Sequence, residues 1–159
     1  MIDQQSLSGQ LRPVECSYQA LQSGRSHELR YRETIDVMHV ARLDHVQLAL
    51  PLGGEEHARE FYGEVLGIPE IKKPTNLAQR GGCWFERGDL KIHLGIELDF
   101  RPARKAHPAL QVVDLPSLIK RLSAHGYVVR DDEPLEGFHR VYVDDPFGNR
   151  IELMEPRRR

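Results

Sequence analysis

The 159-residue sequence predicts an α+β fold built from two βαβββ halves. Three observations carry that expectation. Short apolar runs with strand-type alternation bracket two amphipathic helical stretches, each stopped by a glycine, Gly67 and Gly126. The order of these runs is the same in residues 42–97 and 106–155. A side chain of metal-ligand type stands near the first strand and within the last strand of each half: His45 and His93, then His107 and Glu152, 48 and 45 residues apart.

Residues 1–40 precede the repeat. They are polar, have no sustained period, and contain the loop-like stretches SLSGQ and QSGRS, so an N-terminal mobile arm is expected before a folded domain over 41–157. In the first half, Val46, Leu48 and Leu50 share one strand face, and residues 51–54 break the strand. GEEHAREFYGEVLG then reads as a helix, with two glutamates in its first turn, where the helix dipole favours them. Its apolar face is Ala58, Phe61, Tyr62, Val65 and Leu66. IPEI is a short strand, a loop follows, and CWFER and LKIHLGIE form two strands around a turn at Gly88 and Asp89. In the second half HPALQVV is a strand and LPSLIKRLSAHG a helix with Leu115, Leu118, Ile119 and Leu122 inward. YVVR, HRVYVDD and NRIELME complete it, the last two joined by PFG.

Composition narrows the function classes. The chain is 40% hydrophobic and 29% charged, within the globular range. Its net charge of −2 supplies no basic field for nucleic acid or an anionic membrane, and neither is an expected partner. No apolar run reaches the roughly 20 residues of a membrane span. The first ten residues lack the basic start and apolar core of a secretory signal. Cys16 and Cys83 form neither a disulfide framework nor a metal spacing, and a reducing cytoplasm is the expected compartment.

Strand alternation then assigns faces. If Val46, Leu48 and Leu50 cover the helix, His45 and Gln47 point the other way; the same parity sends His93, His107 and Glu152 away from the helices. Three imidazoles and one carboxylate on that face suit a divalent transition metal, with zinc, nickel, manganese, cobalt and Fe(II) all admissible. Two histidines and one carboxylate are also the set that holds non-haem Fe(II).

HVQLAL, EFYGEVLG, GGCWFERGDLKIHL, AHPALQVVD and VDDPFGNRIELME together resemble the vicinal oxygen chelate superfamily over residues 42–155. That family includes glyoxalase I, methylmalonyl-CoA epimerase, fosfomycin resistance proteins and extradiol ring-cleaving dioxygenases. The resemblance implies paired βαβββ modules forming a cupped mixed sheet, helices on the outer face and a metal in the cup. It places the usual ligands on His45, His107 and Glu152. The fourth position is glutamate in glyoxalases and commonly glutamine in the epimerases; this sequence departs from both with His93. His93 is therefore expected either as a fourth ligand or as the catalytic general base. Related proteins complete the cup within one chain or across a dimer, and a homodimer is expected here.

Further candidates surround these positions. Arg104, in RPARK, is placed to receive an anionic substrate. Arg140 and Tyr142 share a strand face and are assigned to substrate binding or to pairing with Glu152. Trp84 and Phe85 face opposite ways, and Trp84 is assigned to the cup. DDPFGN reads as a structural turn. The expected function is metal-dependent, glyoxalase-type lyase, isomerase or addition chemistry on a small substrate that chelates through neighbouring oxygens. The alternatives are an Fe(II) ring-cleaving dioxygenase and a drug-sequestering resistance protein without turnover.

Overall fold

The computed structural model describes residues 39–158, and Val40–Arg159 form one compact unit. The arm expected over residues 1–40 falls almost wholly outside the described residues.

The first half forms a four-stranded sheet of β1 (Val46–Leu50), β2 (Glu70–Ile71), β3 (Cys83–Arg87) and β4 (Leu90–Ile96), in the order β1-β4-β3-β2. The second half repeats that order with β5 (Ala109–Gln111), β6 (Val129–Arg130), β7 (Phe138–Asp144) and β8 (Arg150–Pro156), as β5-β8-β7-β6. In each sheet the first strand runs parallel to the last, and the other pairings are antiparallel. Both sheets are mixed, and the repeat read from the sequence is a repeat of topology.

The helices differ in detail from expectation. Helix α1 (Glu55–Ala58) passes directly into a π-helical stretch (Arg59–Val65), closed by Leu66 N–H donating to the Phe61 carbonyl five residues back. Phe61, Tyr62 and Val65 are all fully buried from this stretch. A short helix α2 (Thr75–Ala78) occupies part of the expected loop, after Pro74 at ψ 141°. Helix α3 (Leu115–Ala124) opens on Asp114, which takes a left-handed φ of 59° and caps Ser117 N–H with its carboxylate. Both Asp114 N–H and Leu115 N–H donate to the Glu155 carboxylate, which ties the start of α3 to β8.

One continuous core joins the halves. Leu48, Leu50, Phe85, Ile92 and Leu94 from the first sheet share it with Leu110, Val141, Val143, Ile151 and Leu153 from the second. Phe61 meets Tyr127 edge-on at 4.8 Å, and Tyr62 stacks on Phe85 at 5.4 Å. Gly82 lets β3 approach β4, because a Cβ there would fall 2.1 Å from the Leu94 carbonyl oxygen.

The DDPFGN turn is the mortise between the halves. Asp145 Oδ2 accepts from the Tyr62 hydroxyl at 2.8 Å and from Asn149 Nδ2 at 2.8 Å. Asn149 Nδ2 also donates to the Ala49 carbonyl on the open edge of β1, and Asn149 Oδ1 accepts from Ala103 N–H in the connector. Phe147 lies against Gly54, where a Cβ would come within 2.8 Å of its ring. Burial pushes the Asp145 carboxyl up, against the lowering pull of Asn149 and Tyr62. The buried Tyr62 hydroxyl is likewise held well above its ordinary value by desolvation, with Asp145 adding to it.

Candidate metal centre

The strand register sets His93 and Glu152 on the sheet faces opposite the core. In the first sheet, Gln47 and Trp84 flank His93 across the strands. In the second, Ala109 and Tyr142 flank Glu152. His45 immediately precedes β1, and His107 lies two residues before β5. His93 and Glu152 are buried at 5% and 6% exposure.

Each half brings its two residues together. In the first half the rings of His45 and His93 stack at 4.4 Å, and Trp84 stacks on the other side of His93 at 4.0 Å. The His93 Nε2 is 3.1 Å from Glu86 Oε1, so it carries the proton it donates there. His45 Nδ1 donates to Asp44 Oδ1 at 3.0 Å, leaving the lone pair on Nε2. Asp44 also receives Lys91 Nζ at 3.0 Å. The hydrogen bond from His45, then that from Lys91, lowers the Asp44 carboxyl to about 2.

In the second half His107 Nδ1 donates to the Lys105 carbonyl at 2.8 Å, because a carbonyl only accepts. His107 Nε2 then faces Glu152 Oε2 at 3.2 Å. The other oxygen, Glu152 Oε1, is held by Arg140 Nη1 at 2.9 Å. The same Arg140 nitrogen donates to the Tyr142 hydroxyl at 3.0 Å, and the guanidinium reaches the Glu133 carbonyl in the loop before β7. The hydrogen bond to Glu152 raises the Arg140 guanidinium further. Tyr142 in turn meets the His107 ring edge-on at 5.3 Å.

These donors fit a metal ion. In the neutral ring, His107 Nε2 and Glu152 Oε2 direct lone pairs at each other, an arrangement that a cation between them relieves. In both His45 and His107 the second ring nitrogen is anchored by an oxygen, the support that orients metal-binding imidazoles. Among the described residues of a single chain, however, no three His, Cys, Asp or Glu side chains are grouped as ligands. The structure gives two pairs, one per sheet. Arg104 stands apart from both, exposed in the connector, where it lines a cavity with Arg130 and Arg150.

Three partners went unrecognised in the sequence. Glu86 lies two residues after Trp84, so alternation alone sets it on the His93 face. Asp44 adjoins His45 in the chain. The Lys105 carbonyl had no sequence signal, since it is backbone.

Comparison with known proteins agrees with this architecture. The family described as Glyoxalase/Bleomycin resistance protein/Dioxygenase superfamily matches residues 42–153. A protein from Bacillus anthracis described as of the glyoxalase family is 49% identical, with a TM-score of 0.71 over 74% of this chain and 97% of that one. A glyoxalase/dioxygenase from Nostoc punctiforme is 20% identical, with a TM-score of 0.60 over 74% of this chain and 92% of that one. The fosfomycin resistance protein FosX from Listeria monocytogenes is 17% identical, with a TM-score of 0.60 over 74% of this chain and 95% of that one. Curated protein sequences gave no match. The topology, the repeat and the extent of the match lead to one assignment: the chain belongs to the Glyoxalase/Bleomycin resistance protein/Dioxygenase superfamily.

Proposed function

We propose that the protein is a metal-dependent enzyme of the glyoxalase type, acting on a small substrate that chelates through two neighbouring oxygens. The observation that carries this reading is the His107–Glu152 pair. A buried carboxylate is aimed at an imidazole nitrogen whose ring partner is already committed to Lys105. His45 is the third ligand. It comes from the other sheet, so it is supplied by the first half of a second copy in a homodimer, and that copy's His107 and Glu152 meet this chain's His45. A bound divalent ion supplies Lewis acidity for stabilising negative charge that develops on a substrate oxygen.

The chain's own groups do the rest. Arg140 holds Glu152 Oε1, so the carboxylate presents Oε2 alone. Glu86 keeps the proton of His93 on Nε2, so Nδ1 is the atom that takes a proton from substrate carbon or returns it. Trp84 and His45 clamp that ring from its two faces. Tyr142, close to both His107 and Arg140, orients substrate through its hydroxyl. The product class is that of an isomerase, lyase or addition enzyme.

Metal retention under chelator competition tests the assignment. Wild type is expected to retain one divalent ion per chain. Glu152→Gln removes the only anionic ligand and should weaken retention more than His93→Ala does. The His93 change removes the proposed base, whose ring also stacks on His45, and a loss on the order of 10–100-fold in affinity or activity is expected. Equal retention in the two variants, or a wild-type protein that takes up no divalent ion, would falsify the ligand assignment.

A further inference from the structure

Beside the His107–Glu152 pair, toward the start of β8, the second sheet carries a separate cavity of about 340 Å³. Its walls are Arg104, Arg130, Asp144, Gly148 and Arg150. Arg150 pairs with Asp144 across the strands, and Arg130 with Tyr142, so the three side chains of this rim share the face of Glu152. The connector closes the other side: Arg150 N–H donates to the Ala103 carbonyl, and Pro102 packs against Gly148.

Charge in this cavity is unbalanced. Arg130 Nη2 donates to Asp144 Oδ1 at 2.6 Å, which matches one guanidinium to one carboxylate. Among the described residues, Arg104 and Arg150 form no ion pair and donate no side-chain hydrogen bond. Their walls therefore hold three positive charges against one negative. Clustered guanidiniums repel one another, and a bound dianion removes that repulsion. The planar fork of arginine suits the paired oxygens of a phosphate group.

Tyr142 links this cavity to the candidate metal centre. The Arg150 guanidinium lies over its ring at 5.1 Å, and the His107 ring meets the same ring edge-on at 5.3 Å. Arg150 and Glu152 are two residues apart on one strand face, roughly 6–7 Å along β8. A few carbon atoms cover that separation.

We infer that Arg104, Arg130 and Arg150 form an anion subsite for the phosphate group of a small phosphorylated substrate, whose chelating oxygens extend across Tyr142 to His107 and Glu152. The second half of that statement rests on the metal-dependent reading above; the anion subsite itself contains no metal ligand. Asp144 is part of the design, since it holds Arg130 in place and leaves the other two guanidiniums for the ligand.

Methyl phosphate binding to the full chain is the test, followed by ³¹P NMR titration with both metal-loaded and chelator-treated protein. Methyl phosphate should bind in both states, more tightly than acetate, with affinity falling as salt rises. Arg104→Gln and Arg150→Gln should each weaken it about tenfold, as expected for loss of a charge-assisted contact, with Arg150→Lys intermediate. Arg121→Gln, on the exposed side of α3, is the control and should bind as wild type does. Circular dichroism confirms that each variant folds. Affinities unchanged in both cavity variants, acetate binding as tight as methyl phosphate, or binding only in the metal-loaded state would overturn the inference. Failure of metal uptake with methyl phosphate still bound would instead sink the metal-dependent reading and leave the subsite standing.

Discussion

The half-buried His107 and the buried Cys83 show how differently two polar side chains are handled. His107 has each ring nitrogen assigned a distinct oxygen, one backbone and one carboxylate. Cys83 lies fully buried in the core beneath α1, where its thiol donates to the Glu55 carbonyl at 3.7 Å. Burial pushes that thiol from 9.0 up to about 11. A thiol held protonated is a poor nucleophile. Iodoacetamide at pH 8 should therefore leave Cys83 unmodified in the folded chain, read by mass spectrometry of the peptide that carries it. Labelling as fast as in urea would contradict its burial. The same shift fixes a sign for stability: the share contributed by protonated Cys83 is complete below 9.0 and is lost as the pH rises through about 11.

Elements meet through polar joints as well as through the apolar core. The turn between β7 and β8 engages the π-helical stretch through Tyr62, the edge of β1 through Asn149, and the β1–α1 loop through Phe147. Each contact reaches from the second half to the first. Tyr62→Phe keeps the ring in place but removes a donor from buried Asp145, so the expected cost is about 1–3 kcal/mol. The denaturant midpoint should fall with the m-value unchanged, as the exposed surface on unfolding is the same. The pH dependence has a definite direction. The Asp145 carboxyl sits above its unfolded value of 3.8, so its contribution to stability is present below 3.8 and lost as the pH rises through its folded value. The Tyr62 hydroxyl offsets that loss by donating to the charged form. The deficit of Tyr62→Phe should therefore be larger at pH 7 than below pH 3.8. An equal deficit at both would show that the hydroxyl does not stabilise the charged carboxylate.

In the proposed reading the two ligand pairs, one per sheet, are completed by a second copy, and this has a clear experimental signature. In a homodimer each centre combines His45 of one copy with His107 and Glu152 of the other. His45→Ala and Glu152→Gln alone each damage both centres. In a mixed dimer of the two variants, one centre has all three ligands and the other lacks two. Refolding the variants together at equal concentration should restore tight metal binding to roughly a quarter of the centres, since about half of randomly paired dimers are mixed. No restoration would mean that the ligands come from within one chain. The arginine cavity is formed by one chain alone, so methyl phosphate binding should not change on mixing.

The sequence alone determined the repeat, the order of its elements and the faces of its strands. Apolar alternation in β1, β4, β7 and β8 sorts His93 and Glu152 away from the core, because strand parity is a local property of the backbone. The same parity placed Trp84, Arg140 and Tyr142 on the faces where they stand. The turn DDPFGN was legible as a turn, but its work as a joint was not. Asp145 and Tyr62 are 83 residues apart, and Asn149 and Ala49 100, distances over which no local rule pairs side chains. The π-helical stretch was equally hidden, since its apolar spacing also satisfies an ordinary helix. The separation of the candidate ligands into two pairs was decided only by the tertiary structure. Equivalent positions in a repeat are equivalent within their own sheets, and the packing of one sheet against the other determines whether they ever meet.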